Sequence, residues 1–363
     1  MTPGKHFVYV SHHESGDIAP YALAADAAAL APLPRVAAGR LVMPLAASPD
    51  GRFLHAAIRT EPFALRSHAI APATGALQPL GATPMPDSMV GIAVDRSGRW
   101  LLAAAYGADA LYVFAIDAQG HVLPTPAQRL SSGGIKPHAI CIDAANRFVY
   151  VPHLGTDEVR VYAFDAKAGL LTPCVPARAR LPAGTGPRHL VLSPDGRFLY
   201  VLGQLDGRIT VLRRDAASGA LDTVQVLDAV PPGNGLLPGK PRPPSGSAQA
   251  LPAETDVFWC ADIQIRPQGD FLYTTERAKS TVSVLAVDRA SGHLRLVDCI
   301  PTEKQPRAIA IDPQGRCLVV SGEASPTLSL YAIDATSGTL ALQQQQPAGA
   351  GANWVLFATP PLS

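Results

Sequence analysis

Residues 186–201 read GPRHLVLSPDGRFLYV. Two apolar runs flank Pro194-Asp195-Gly196. Proline presets φ for a turn, aspartate bonds its own backbone, and glycine accepts the left-handed conformation. The flanking Leu, Val, Phe and Tyr suit a pleated, buried surface. The stretch therefore predicts two antiparallel strands joined by a tight turn.

The chain repeats it. The aromatic after the turn recurs as Phe7, Phe53, Trp100, Phe148, Phe198 and Phe271, and Cys317 holds the place in the last copy. The spacings are 46, 47, 48, 50, 73 and 46 residues. A second ladder has the same register: a glycine in an xGxL hairpin at Gly75, Gly120, Gly169, Gly219, Gly292 and Gly338. It follows the first marker by 20 to 22 residues, and Ala28 stands at that place in the first copy. Each copy reads as four short strands. Four strands repeated seven times predict an all-β fold, a seven-bladed β-propeller with four antiparallel strands per blade. No Trp is followed by Asp, which sets the chain apart from the WD40 pattern.

The first copy begins at its second strand, Phe7 to Val10. The final GANWVLFAT (351–359) aligns with GPRHLVLSP but follows a complete seventh copy. The C-terminal segment should thus close the first blade and remove two free sheet edges. Residues 1–363 then form one propeller domain. The long interval contains a Pro/Gly/Ser-rich stretch at about 231–254, which reads as an inserted loop because the repeat resumes in phase.

Hydrophobic residues make up 47% of the chain and charged residues 16%, so a large core is available. A net charge of +1 offers no electrostatic footprint for nucleic acid or an anionic membrane. The N-terminus lacks a basic region followed by an apolar segment of signal-peptide length, and no apolar run reaches membrane-spanning length. Five scattered cysteines without Cys-x-x-Cys read as reduced thiols, so a cytoplasmic location is expected.

Propeller geometry decides which polar residues can meet. With strands A to D counted outward from the channel, A–B and C–D turns share one face. The starts of A strands, the B–C loops and the D–A connections share the other. On that second face lie His138, Arg188, His189, Asp262, Arg307, Asn353 and Trp354 at A-strand starts. His12, His13, Arg59, Tyr106, His153, Gln204, Glu276, Arg277 and Glu323 lie in B–C loops. Ligands commonly bind at such mouths.

GPRH (186–189), ADIQIRPQGDFLY (261–273), PTEKQPR (301–307) and GANWV (351–355) make the chain resemble the seven-bladed lactonase family. That family includes bacterial 6-phosphogluconolactonases and fungal 3-carboxymuconate cyclases. The resemblance implies a lactone-handling pocket around Arg188, His189, Asp262, Glu276, Arg277 and Arg307, with no cofactor. The chain departs from the family at Gly203-Gln204, where an Asn-Glu pair is usual, and at His153, where Asp is usual.

Lactone hydrolysis needs a base to activate water and donors for the developing oxyanion. His189 and Glu276 are candidate bases. Arg188 and Arg307 are candidate oxyanion or anion clamps, since guanidinium forks match carboxylate and phosphate. His138, Arg59, Asp262, Arg277, Gln204 and Trp354 are candidate substrate contacts. Asp262 also reads as a structural carboxylate paired to Arg307 or to an amide, and His153 as a solvated loop histidine. His12 and His13 point to opposite faces of a strand, so no metal site is expected. The reading is a hydrolase opening a sugar-acid lactone. A cyclase or isomerase on a muconate-like diacid, and a propeller that only binds a ligand or partner, are the alternatives.

Overall fold

Second strands are mostly apolar, as in Phe148–His153 and Phe198–Gly203, which are buried at every residue. Strands buried on both faces lose the polar alternation of a half-exposed sheet. Outer strands regain it, as in Leu340–Pro347 with its run of glutamines. That gradient from centre to rim is the gradient of a propeller blade.

The computed structural model describes residues 5–241 and 256–361. These form seven antiparallel sheets in chain order. The innermost strands of blades 2, 3 and 4 are Val42–Ala47, Met89–Val94 and Cys141–Ile142. Those of blades 5, 6 and 7 are Pro187–Leu192, Cys260–Ile265 and Pro306–Ile311. The innermost strand of blade 1 is the C-terminal Ala352–Ala358, which pairs antiparallel with Phe7–His12. The closure read from the sequence is therefore present. The outer strand of blade 1 is split into Leu30–Pro32 and Val36–Ala37. Of the inserted loop, residues 231–241 are described; 242–254 lie outside the described residues. Its first part is tied to blades 5 and 6, where Gly239 N donates to Leu205 O and Phe258 N to Leu237 O, at 2.8 and 2.9 Å.

The two sequence ladders meet in space. A Cβ added at Gly75 would enter the ring of Phe7, at Gly120 that of Phe53, and at Gly169 that of Trp100. Gly219, Gly292 and Gly338 stand in the same relation to Phe148, Phe198 and Phe271. Each hairpin glycine thus receives the aromatic of the preceding blade, at a positive φ that glycine tolerates best. Tyr9, Tyr150 and Tyr273 add hydroxyl bonds to the carbonyls of Gly75, Gly219 and Gly338. In blade 1 the left-handed residue is Ala27 (φ 60°), one place before the expected Ala28. Its apolar cluster contains Cys317, the one non-aromatic marker, and the smaller side chain leaves room for a methyl group.

The turn face is equally regular. Ser193 Oγ accepts from Phe198 N, and Asp143 Oδ1 accepts from Phe148 N. Arginines after these turns donate to hairpin carbonyls of the next blade: Arg99 to Ala166, Arg147 to Ala217, Arg197 to Arg289 and Arg316 to Ala25.

At the opposite face every inner strand carries one residue more than its partner. The ladder skips Asn353 in blade 1, Val90 in blade 3, Arg188 in blade 5 and Arg307 in blade 7. In blades 2 and 6 two residues, Met43-Pro44 and Ala261-Asp262, oppose one. In blade 4 three residues, His138 to Ile140, separate Pro137 from Cys141, while two separate their partners His153 and Tyr150. A bulge bends its strand and re-aims a side chain. Seven bulges at one depth make a ring of displaced residues at the channel mouth.

Candidate functional site at the channel mouth

Arg188 and His189 leave the inner strand of blade 5 at its bulge. Arg188 is 1% exposed. Its Nη1 donates to Ala261 O of blade 6, and its Nε has no hydrogen-bond partner among the described residues. His189 Nδ1 donates to Asp262 Oδ1 at 2.7 Å. A carboxylate there fixes the tautomer, so Nε2 carries the free lone pair. That Nε2 is buried and has no protein partner among the described residues. The imidazole packs edge-on against His138 (5.4 Å between centroids) and Trp354 (5.6 Å). His138 in turn meets Tyr106 at 5.9 Å.

Both oxygens of Asp262, a candidate substrate contact, are engaged by the protein. Its Oδ1 also accepts from Ile263 N at 2.9 Å, and its Oδ2 accepts from Ile309 N of blade 7 at 3.0 Å. It positions His189 and ties three blades together. Of the two partners expected for a structural carboxylate, the backbone amide is present, at Ile263 and Ile309, and His189 takes the place of Arg307.

Glu276 is also reassigned. Trp259 N donates to Oε1 at 2.9 Å and Lys279 N to Oε2 at 2.7 Å. Both oxygens brace loop backbone, whereas His189 Nε2 has no protein partner among the described residues. Gln204 accepts from Arg277 Nη2 at 3.3 Å. Arg277 stacks on Trp259 with its guanidinium carbon 3.8 Å from the ring centroid, and its Nη1 lies 3.7 Å from Glu323 Oε2. Gln204 and Arg277 thereby position Glu323. His153 is wholly buried, with Nδ1 donating to Val151 O at 3.0 Å, so it is not a solvated loop residue. His12 bonds Asp17 at 2.6 Å and His13 bonds Gly351 O at 2.9 Å, in separate surroundings.

Glu323 carries more of the site than its sequence position suggests. It pairs with Arg307 Nη1, while Arg307 Nε is buried without a partner among the described residues. Burial raises the Glu323 pKa, but Arg307 and Arg277 outweigh it and hold the carboxyl at about 2. Arg59 donates to Ser88 Oγ at 3.1 Å and points Nη1 at Met43 Sδ, 3.4 Å away. Burial, followed by the charge of Arg307, pulls both Arg59 and Arg188 down to about 9. The three guanidinium groups therefore feel one another, with Glu323 as a shared counter-charge. Such a cluster favours an anionic ligand. Beside Glu323 a recess of about 530 Å³ is lined by His13, Glu14, Gln305 and Ser325. The other side of the mouth is apolar, where Val90, Tyr106, Leu154 and Leu205 cluster.

The histidine is neutral at physiological pH. Burial lowers its pKa to about 4, Arg188 adds to this, and Asp262 opposes it. Burial likewise holds His55, His68 and His153 at about 4. The unfolded chain takes up these protons below about pH 6.5 and the folded chain does not. The stabilisation is thus complete above 6.5 and is lost as pH falls toward 4, by about 3 kcal/mol per histidine at most. Urea unfolding at pH 7.5, 6.0 and 5.0 should show stability dropping stepwise. A flat profile would contradict these burials.

A larger recess, about 770 Å³, lies on the turn face beside Phe7, Leu23 and Leu33. None of its described lining residues has a buried, unpartnered polar atom. Among the described residues no three His, Cys, Asp or Glu side chains are grouped to hold a metal ion.

Residues 7–357 match the family model described as lactonase, 7-bladed beta-propeller. The 6-phosphogluconolactonase of Serratia proteamaculans is 34% identical over 308 residues, covering 85% of each chain. That of Yersinia enterocolitica is 32% identical over 357 residues, covering 98% of this chain and 99% of its own. Among solved structures, the periplasmic gluconolactonase of Pseudomonas aeruginosa superposes with a TM-score of 0.83 at 25% identity, over 98% of this chain and all (100%) of that one.

Proposed function

The chain belongs to the seven-bladed β-propeller lactonase family, and from that premise we propose that it opens a phosphorylated sugar-acid lactone at this mouth, with His189 as the base. The lactonase activity itself rests on the family and on relatives named for it. The observation that carries the finer reading is the arrangement around His189: a neutral imidazole fixed by Asp262, in a mouth where buried Arg188 and Arg59 and half-buried Arg307 repel one another.

The steps balance without a cofactor. His189 Nε2 takes a proton from water as the water oxygen attacks the lactone carbonyl. Arg188, adjacent in sequence and buried beside the dyad, faces the oxyanion. The tetrahedral carbon then expels the ring oxygen, which recovers the proton from the imidazolium. Products are a free hydroxyl and an aldonic acid, which ionises. Arg59 and Arg307 hold the distal anion, and Asp262 keeps the imidazole oriented throughout.

Five free thiols support a cytoplasmic location, and the near-zero net charge supports a small-molecule partner over nucleic acid or membrane. The test is acid release at pH 6.5 from 6-phosphoglucono-δ-lactone, glucono-δ-lactone and a muconolactone, each against its spontaneous rate. Preference for the phosphorylated lactone is the expected result. Acceleration of the muconolactone alone would move the reading to the cyclase alternative, and no acceleration at all would refute it.

A further inference from the structure

Four blades displace a single residue at the same step of the inner strand: Asn353, Val90, Arg188 and Arg307. Val90 joins the apolar side of the mouth, while Arg188 and Arg307 each keep a buried Nε without a protein partner among the described residues. Asn353 is the remaining member. It is fully buried, and Ser11 Oγ donates to its Oδ1 at 2.7 Å. That bond orients the amide and leaves Nδ2 as a donor, which has no partner among the described residues. The next residue, Trp354, sets its ring 5.6 Å from that of His189.

We infer that Asn353 is a further substrate-holding donor, with its side-chain N–H presented to a carbonyl or hydroxyl oxygen of the lactone. Ser11 acts through Asn353 as a positioning residue. This assignment rests on the lactonase reading of the mouth. A buried amide N–H without a partner is costly, and a site built to hydrogen-bond a substrate oxygen is where such a group is tolerated. A bulge supplies the displacement that a regular strand lacks. The partner is an uncharged oxygen acceptor, since the amide adds directionality to a site whose charge comes from arginines.

The test compares wild type with Asn353→Asp and Ser11→Ala. The first keeps an oxygen for Ser11 to bond and exchanges the donor for an acceptor. The second frees the amide to rotate. Two readouts are taken on each protein: kcat and KM on the best lactone, and affinity for 6-phosphogluconate by calorimetry. Thermal unfolding verifies that each variant is folded. Asn353→Asp should lose about 10²-fold in kcat/KM, in kcat if the lactone carbonyl is the acceptor and in KM if a hydroxyl is. Ser11→Ala should show a smaller loss in the same parameter. If both variants keep kcat/KM and affinity within twofold, the assignment is wrong. If wild type hydrolyses no lactone but binds the acid through Asn353, the lactonase reading falls and the Asn353 contact stands. If wild type neither hydrolyses nor binds, both fall. If Asn353→Asp does not fold, Ser11→Ala decides alone.

Discussion

His189→Asn should retain less than about one hundredth of the wild-type kcat, because a positioned general base contributes about 10²–10⁴-fold. The asparagine amide can still donate to Asp262, so the clamp on Ile263 N and Ile309 N should survive and unfolding should shift little. Loss of rate without loss of fold separates a base from a structural histidine. Glu276→Gln is the matched control. It keeps one oxygen to accept from a backbone amide while removing the charge, and should cost stability before it costs rate. If His189→Asn stays within threefold of wild type and Glu276→Gln does not, the base has been misassigned.

Gly338→Ala should destabilise the protein by about 2–4 kcal/mol. Its φ of +74° is strained for alanine, and the added methyl would enter the Phe271 ring. Gly184→Ala is the control for strain alone, since its φ is +80° and nothing lies within 4 Å of the added Cβ. That variant should lose only about 1 kcal/mol. The difference between the two midpoints in urea measures what the aromatic-to-glycine joint contributes between blades. Equal losses would show that the ring moves aside freely. Blade 1 already contains the compensated version, with Ala27 and Cys317 in one cluster.

The same joint explains what the sequence reveals. The aromatic and glycine ladders keep a common period because each contact joins one blade to the next, so a shift in either would break the packing. Ring closure is legible for the same reason: Ala352–Ala358 is a surplus inner strand with one place to go. The one-residue error at Ala27 arose where the chain replaces both members of the pair.

The site was legible in its location and less so in its roles. Which residues stand at the mouth follows from strand direction alone. Which of them are spent on structure depends on lateral bonds such as His189 to Asp262, 73 positions apart, or Asp262 to Ile309, 47 apart. The first distance adds the inserted loop to one blade repeat and the second is a plain repeat, and neither leaves a local pattern that signals the bond. Glu276 looked available because its partners are backbone amides, which carry no residue identity. His153 reads as a loop residue, yet it ends the strand Phe148–His153 and its ring turns back onto the carbonyl of Val151. The bulges leave no mark in the repeat pattern because the apolar runs on either side stay in phase around one extra residue. A signal was nonetheless present: Pro-Arg at 187–188 and 306–307 breaks the apolar pattern at equivalent places, and Asn353 does so in the closing strand.

The most direct measurement is the ratio of kcat/KM for 6-phosphoglucono-δ-lactone over glucono-δ-lactone, taken on wild type and on Arg307→Gln at low and moderate salt. The wild-type ratio should lie well above one and fall at least tenfold in Arg307→Gln, with the unphosphorylated substrate much less affected. A wild-type ratio near one, or a ratio unchanged by the substitution, would contradict an arginine-held anion as the basis of this site's chemistry.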